Sequence, residues 1–291
     1  MGEKRERTKV VVEEHSIEVD GLPIRYLTAG TGPPLVLLHG AGDNALDWKW
    51  VLPALARTHR VYAPDLPGSP DSARPAADYS PAFFERFVAN LLDALDIEGA
   101  VVAGNSLGGL IALRLALSEP ARVTALILVD SAGLGRAVNP AFTYVNVPGL
   151  GEVAMPLWRT PIGAHQRAWG RAALLFARPA NVPREWLAEQ RRLALSPGYL
   201  EAHLRALRAQ VDPGGQREVL VDRLPLLNVP TLVVWGARDR VFPESQAREA
   251  AARLQEGSLA VIPDCGHMPH VECPDRFVAA LEPFLGGRMH R

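Results

Sequence analysis

Between Lys9 and Asp20 the chain alternates polar and apolar side chains, the period of two expected of a β-strand. Asp20-Gly21 is a tight-turn signal, and Leu22–Ala29 reads as a second strand running back antiparallel to the first. From Leu35 the alternation gives way to short continuous apolar runs, at Leu35–Leu38, Val61–Ala63, Ala100–Ala103, Ala125–Val129, Thr231–Trp235 and Leu259–Ile262. Such runs suit strands covered on both faces, as in a parallel sheet. Between them the apolar spacing is helical over Trp48–Arg57, Pro81–Leu95, Leu107–Ser118, Glu244–Leu254 and Asp275–Leu285. Ser80 as N-cap with Pro81 at the first helical position marks one start, and Pro120 lies just beyond the end of another. Strands alternating with helices predict the α/β class with a mostly parallel sheet.

The alternation stops between Leu134 and Leu224. That stretch is rich in Pro, Trp and Arg, suggests short helices such as Arg184–Leu195 and Pro197–Ala209, and shows no convincing strand. It reads as a helical insertion between two core strands. The expected organisation is a core of residues 1–133 and 224–291 carrying a helical cap, or lid, of residues 134–223. No internal repeat or low-complexity tract interrupts it.

Composition narrows the function classes. The 291 residues are 48% hydrophobic and 22% charged, enough for a substantial core. With 31 Lys and Arg against 32 Asp and Glu, the net charge of −1 predicts no nucleic acid and no anionic membrane as partner. Met1–Lys9 is charged with mixed sign and reads as a solvated tail. It is followed by no apolar signal region, and Glu at position 6 breaks a myristoylation motif. No apolar run approaches the roughly 18 residues of a membrane span. Cys265 and Cys273 suit reduced thiols and a cytoplasmic location. No zinc-type spacing of Cys and His occurs, so no metal or cofactor is expected. Oligomeric state leaves no signal.

The chemistry is concentrated in Gly104-Asn105-Ser106-Leu107-Gly108-Gly109, between the strand Ala100–Ala103 and the helix Leu107–Ser118. This is the context of the G-x-S-x-G turn, which exposes a serine at a sharp strand-to-helix bend and needs glycine where side chains would strike the neighbouring elements. A serine hydroxyl needs a base, and the base an orienting acid, expected in the order Ser, Asp, His. Asp239 follows the strand Thr231–Trp235, and His267 follows Leu259–Ile262. Asp130, at the end of Ala125–Val129, is a rival acid; His270 is a second candidate base, and Asp264 reads as a turn residue. Oxyanion donors are expected from the backbone N–H of Leu107 and from the loop His39-Gly40-Ala41-Gly42-Asp43-Asn44, where Ala41 is favoured over Gly42. His39 is expected to brace that loop rather than take part in catalysis.

Taken together, His39-Gly40, Asp65-Leu66-Pro67-Gly68, Gly104–Gly109, Trp235-Gly236-Ala237-Arg238-Asp239 and Cys265-Gly266-His267-Met268-Pro269-His270-Val271-Glu272 resemble the α/β-hydrolase superfamily. The resemblance implies the α/β-hydrolase fold: an eight-stranded, mostly parallel sheet with strand two antiparallel, helices on both faces, and a helical cap inserted after strand six. The residues around Ser106 are similar to those of meta-cleavage-product hydrolases, and also of carboxylesterases and cofactor-free haloperoxidase-like members. A serine there speaks against epoxide hydrolases and haloalkane dehalogenases, which use Asp. Pro70 stands where the family usually repeats a glycine after Gly68.

The expected function is a serine hydrolase acting on a small-molecule ester or related carbonyl through an acyl-enzyme. A carbon–carbon hydrolase of the meta-cleavage-product type is one alternative, and a triad-retaining small-molecule receptor another. Gly40, Gly42, Asn105, Trp158 and Trp169 are the candidate pocket residues. Trp158, Trp169, Phe176 and Trp186 suit either a pocket lining or the cap's own core, and Arg159, Arg167 and Arg171 either a substrate carboxylate site or solvated surface.

Overall fold

The computed structural model describes residues 10–145, 147 and 149–287, so the tail Met1–Lys9 lies outside the described residues. The strands are β1 (Glu13–Val19), β2 (Leu22–Ala29), β3 (Pro34–Leu38), β4 (Arg60–Pro64), β5 (Ala100–Asn105), β6 (Val123–Val129), β7 (Val211–Asp212), β8 (Gly215–Gln216), β9 (Thr231–Gly236) and β10 (Gly257–Ile262). The helices of the core are α1 (Leu52–Leu55), α2 (Pro81–Ala94) and α3 (Leu107–Ser118). Then come α4 (Pro140–Val145), α5 (Leu150–Trp158), α6 (Pro161–Leu175), α7 (Arg184–Leu195) and α8 (Tyr199–Gln210), followed by α9 (Ser245–Arg253), α10 (Pro269–Glu272) and α11 (Pro274–Gly286).

Eight strands form one sheet in the order β1-β2-β4-β3-β5-β6-β9-β10. β2 is antiparallel to both β1 and β4, and all other neighbours are parallel. This is the α/β-hydrolase arrangement implied by the motifs. The β1–β2 turn places both Asp20 (φ 52°) and Gly21 (φ 74°) in the left-handed region, as a two-residue hairpin requires.

The continuous apolar runs alternate between two cores. Val36, Leu38, Val102, Leu126, Leu128, Val233 and Trp235 meet α2, α3 and α9 on one face. Leu35, Leu37, Val101, Ala103, Ile127, Val129, Leu232 and Val234 meet Trp48, α1 and α11 on the other. Each fully buried aliphatic side chain contributes about 1.5–3 kcal/mol, so these strands anchor the loops at their C-terminal ends.

Two local expectations are corrected. Trp48–Arg57 is not one helix but a 3-10 turn, Ala45–Trp48, followed by the single turn α1. Pro53 has no N–H to donate back to Lys49, so a continuous ladder is interrupted there. The inserted region also holds a strand pair, β7–β8, whose two-residue strands are too short for a readable pattern.

Helices α4 to α8 all lie between β6 and β9. The inserted helices join the main apolar cluster through Ala172, Leu175, Phe176, Trp186, Ala202 and Ala206. Among the described residues, Ala164, Leu193, Ala194, Tyr199 and Leu200 form a buried cluster apart. Phe176 and Trp186 pack edge to face at 4.9 Å as core residues. Among the described residues no helix is long and apolar enough to cross a membrane.

His270 is stacked on Trp48 at 4.2 Å inside the core, with neither ring nitrogen hydrogen-bonded. Burial, with His267 nearby, pushes its pKa down to about 3. A neutral buried imidazole contributes stability that is fully present above its ordinary pKa of about 6.5 and is lost as pH falls toward the folded value. Replacing it (His270→Phe) should flatten the acid limb of stability by up to about 1.4 kcal/mol per pH unit below about pH 6. Urea unfolding of both proteins at pH 7 and pH 5 checks this; an identical wild-type-to-variant difference at both values would contradict it.

Candidate active site

Strand β5 ends at Asn105 and helix α3 begins at Leu107, leaving Ser106 alone to make the turn. Its backbone sits at φ 54°, ψ −116°, a conformation costing a non-glycine residue about 1–3 kcal/mol. The surroundings hold it there. The Ser106 N–H donates to the Val129 carbonyl at 3.0 Å, and its own carbonyl accepts from the amides of Gly109, Leu110 and Ala132. The glycines at either side are sterically required: a Cβ at Gly104 would lie 2.1 Å from the Gly108 carbonyl oxygen, and one at Gly108 2.3 Å from that of Leu38. The Leu107 amide, in the first turn of α3, has no carbonyl behind it within the helix, and the helix dipole favours negative charge there.

His267 lies in the loop after β10 with its ring buried. Its Nδ1–H donates to Asp239 Oδ2 at 2.8 Å. Asp239 is fixed in turn, since its Oδ1 accepts from the amides of Val241 at 2.6 Å and Phe242 at 3.3 Å. With Nδ1 committed to Asp239, Nε2 is left as the basic nitrogen. The His267 amide donates to the Leu175 carbonyl at 2.8 Å. Asn105, beside the serine, donates from Nδ2 to the His267 carbonyl at 2.9 Å, which ties the serine turn to the histidine loop. Among the described residues the Ser106 hydroxyl makes no hydrogen bond to His267, as is common before a substrate is bound.

Both candidate acids converge here. Ligand-capable atoms of Asp130, Asp239 and His267 lie within 4.8 Å of one another. Asp130 is fully buried; Oδ1 accepts from the Gly236 amide at 2.9 Å and Oδ2 has no partner. Burial, reinforced by the Asp239 charge, raises its pKa well above the usual carboxylate range. Asp130 is therefore the member of the pair whose environment favours the protonated form, and Asp239 is the one that faces the imidazole. The trio has the spacing of a metal site, and the Asp239–His267 hydrogen bond and the backbone amides engage its atoms apart from Asp130 Oδ2.

The loop after β3 lies against Ser106. A Cβ on Gly40 would be 3.4 Å from Ser106 Cβ. His39 braces the loop: Nδ1–H donates to the Gly40 carbonyl at 2.8 Å, and Nε2 accepts from the Leu66 amide at 2.9 Å. The inserted helices hold the same loop from above. The Tyr199 hydroxyl donates to the Gly42 carbonyl at 2.6 Å, and Arg171 donates to Asp43 Oδ1 at 2.7 Å and to the Ala41 carbonyl at 3.5 Å. Gln190 donates to the same Asp43 oxygen at 2.9 Å. These contacts engage the loop's carbonyls and a side chain, leaving the Ala41 amide for another acceptor. On the histidine side, Glu272 accepts from the amides of Gly266, Ala177 and Arg178 at 2.7, 3.0 and 2.9 Å, pinning the His267 loop to the end of α6.

Two cavities adjoin this arrangement. A small one of about 30 Å³ is bordered by Gly40, Ala41, Gly42, Leu107, Tyr199 and His203. A larger one of about 320 Å³ lies among the inserted helices, bordered by Trp158, Arg167, Arg171, Leu175 and His203. His203 thus touches both. Of the expected pocket residues, Gly40 and Gly42 border the small cavity and Trp158 the large one. Trp169 is corrected: it is 40% exposed, packs edge-on against His165, and borders neither. Asn105 is also corrected, because its side chain turns inward to the Val129 and His267 carbonyls.

Tyr199, Gln190, His203 and Glu272 were not anticipated. Gln190 left a trace: it occupies the buried stripe of α7 with Trp186, Leu193 and Ala194, where an apolar residue is expected. Glu272 sat unassigned within the histidine motif.

Residues 35–280 match the alpha/beta hydrolase family. An uncharacterized protein of Mycobacterium tuberculosis (strain ATCC 25618 / H37Rv) is 36% identical, over 92% of this chain and 79% of its own length. The 2-hydroxymuconate semialdehyde hydrolase of Pseudomonas sp. (strain CF600) is 34% identical over 91% of each chain. A crystal structure described as a membrane phospholipase A, a bacterial virulence factor, superposes with a TM-score of 0.79 at 30% identity, covering 95% of this chain and 86% of the other. With its sheet order, its strained serine turn and a match over most of its length, this chain belongs to the alpha/beta hydrolase family.

Proposed function

We propose that the protein is a serine hydrolase that cleaves a small ester or related carbonyl compound through an acyl-enzyme. The observation that carries this reading is the buried Asp239–His267 hydrogen bond beside a strained serine turn. His267 Nε2 takes the Ser106 proton as Oγ attacks the carbonyl carbon. Asp239 holds the tautomer and stabilises the imidazolium. The amides of Leu107 and Ala41 receive the oxyanion, each such donor being worth about 2.7–4 kcal/mol of transition-state stabilisation. The imidazolium then protonates the departing group, and water, deprotonated by His267, releases the acid. Every group in these steps belongs to this chain or to solvent.

In this reading the inserted helices form a cap that selects the substrate and also holds the oxyanion loop. A carbon–carbon hydrolase is the second reading, favoured by the 34% identity to a semialdehyde hydrolase, with the same nucleophile attacking a ketone in place of an ester. Turnover of a vinylogous diketo acid above that of short esters selects it. Tight binding of small molecules with negligible turnover of either class would select a receptor instead.

Ser106→Ala should lower turnover of a short p-nitrophenyl ester by roughly 10⁴-fold or more. Full retention of turnover rejects the nucleophile. Asp239→Asn should cost about 10³–10⁴-fold in kcat, because the imidazole loses its tautomer control. Asp130→Asn should cost less than about tenfold, since an amide reproduces a protonated carboxyl in shape and donor capacity. Steady-state kinetics of the two variants side by side decide between the acids, and a larger loss at Asp130 reverses the assignment. Tyr199→Phe removes the hydroxyl that holds the Gly42 carbonyl. It should lower kcat by about 3–10-fold with KM nearly unchanged, because one net hydrogen bond is lost from the oxyanion loop. A change in KM alone would place Tyr199 in substrate binding instead.

A further inference from the structure

Tyr199 and His203 stand one turn apart on α8, so their side chains leave the same face of the helix. Their rings stack with centroids 5.9 Å apart and planes only 3° from parallel. The Tyr199 hydroxyl donates to the Gly42 carbonyl, and the His203 ring lies against Gly42 itself. A Cβ at Gly42 would come 2.3 Å from His203 Cε1, 2.5 Å from Nδ1 and 2.9 Å from Nε2. The imidazole therefore fills the space that any side chain at position 42 would need. Gly42, with φ 75°, also needs glycine for its backbone.

The placement of this ring divides the space beside the serine turn. On one side is the cavity of about 30 Å³ bordered by Gly40, Ala41, Gly42 and Leu107. On the other is the cavity of about 320 Å³, whose walls are mainly apolar and include Phe142, Met155, Trp158, Leu200 and Leu204. Among the described residues, His203 alone borders both.

The ring is held by packing. Nδ1 has no hydrogen-bond partner, and burial, with Arg167 and Arg171 close by, keeps the imidazole uncharged. A neutral ring seated between Tyr199 and Gly42 acts through its volume, and close packing on both sides leaves it one position.

We propose that His203 is a specificity-determining residue: its imidazole is a partition that confines the acyl chain of the substrate to the short space beside the loop after β3. Removing the ring would join the two cavities and admit a longer aliphatic chain to the larger one. Each methylene that enters an apolar cavity strengthens binding by about fourfold, so the position of the wall sets the preferred chain length. The proposal rests on the hydrolase reading in placing the acyl carbonyl at Ser106.

The test compares kcat/KM for p-nitrophenyl butyrate and p-nitrophenyl octanoate. The native protein should favour butyrate. His203→Ala should raise the octanoate-to-butyrate ratio at least about tenfold, because the added methylenes gain a cavity to enter. His203→Ser opens the same gap and covers the case in which the alanine variant folds poorly. His203→Phe, which restores a ring without nitrogen, should hold the ratio within about threefold of the native value if volume is what matters. Adding Leu204→Trp to His203→Ala fills the larger cavity and should cancel the gain. A native preference for octanoate overturns the partition, as does an unchanged ratio in both small-residue variants, a gain with His203→Phe equal to that with His203→Ala, or a gain that survives Leu204→Trp.

The same comparison read as binding separates this proposal from the hydrolase reading. Methyl butyrate and methyl octanoate are titrated calorimetrically into Ser106→Ala protein with and without His203→Ala. The second substitution should improve octanoate affinity relative to butyrate by at least about tenfold. That shift in a protein that cleaves no ester rejects the hydrolase reading and keeps the partition. Ester turnover with no shift in either measurement overturns the partition alone.

Discussion

The site depends on how closely β5, α3 and β3 approach one another. Gly104 and Gly108 leave no room for a Cβ against the neighbouring backbone, and that contact forces the chain through Ser106 in a left-handed conformation. The strain is offset by the hydrogen bonds of the Ser106 peptide groups to Val129, Gly109, Leu110 and Ala132, so the turn is held by elements buried on both faces of the sheet. A rigid turn presents Oγ, the Leu107 amide and the α3 N-terminus together. Parallel strands deliver their loops to the same edge, and the loops after β3, β6, β9 and β10 meet around it.

A second constraint is the treatment of buried polar groups. Two carboxyls close to one imidazole do not both ionise in a dry environment. The structure distinguishes them by their partners: Asp239 accepts two amides and an imidazole N–H, whereas Asp130 accepts one amide and leaves an oxygen unpaired. The same logic applies above Ser106. Tyr199, Arg171 and Gln190 bind the loop after β3 through its carbonyls and Asp43, so the inserted helices are part of the scaffold that orients the loop amides. Glu272 performs the matching task for the histidine loop. One set of inserted helices therefore holds both the loop after β3 and the His267 loop.

Much of this was readable from the chain because it depends on local rules. Continuous apolar runs marked the buried strands, Ser80 and Pro81 marked a helix start, and the serine turn announced itself through glycines that only a strand–helix contact requires. Ser106, Asp239 and His267 could be named because each follows a strand end in the family's order. Where local rules competed, the reading was less secure: Pro53 broke a helix that apolar spacing favoured, and β7–β8 was too short to carry a period.

By itself, then, the sequence determined the sheet and the insertion point and pointed to Ser106, Asp239 and His267 as the candidate site, because hydrophobic period and turn chemistry act over a few residues. Only the tertiary structure decided which carboxyl faces the imidazole, which side chains hold the loop after β3 and which arginine is left unpaired. Those outcomes depend on burial and on partners far apart in the chain. Gln190 reaches Asp43 from 147 positions away, and Arg159, Arg167 and Arg171, alike in sequence, differ because one meets Glu201 at the surface, one meets Asp43 inside, and one meets no carboxylate.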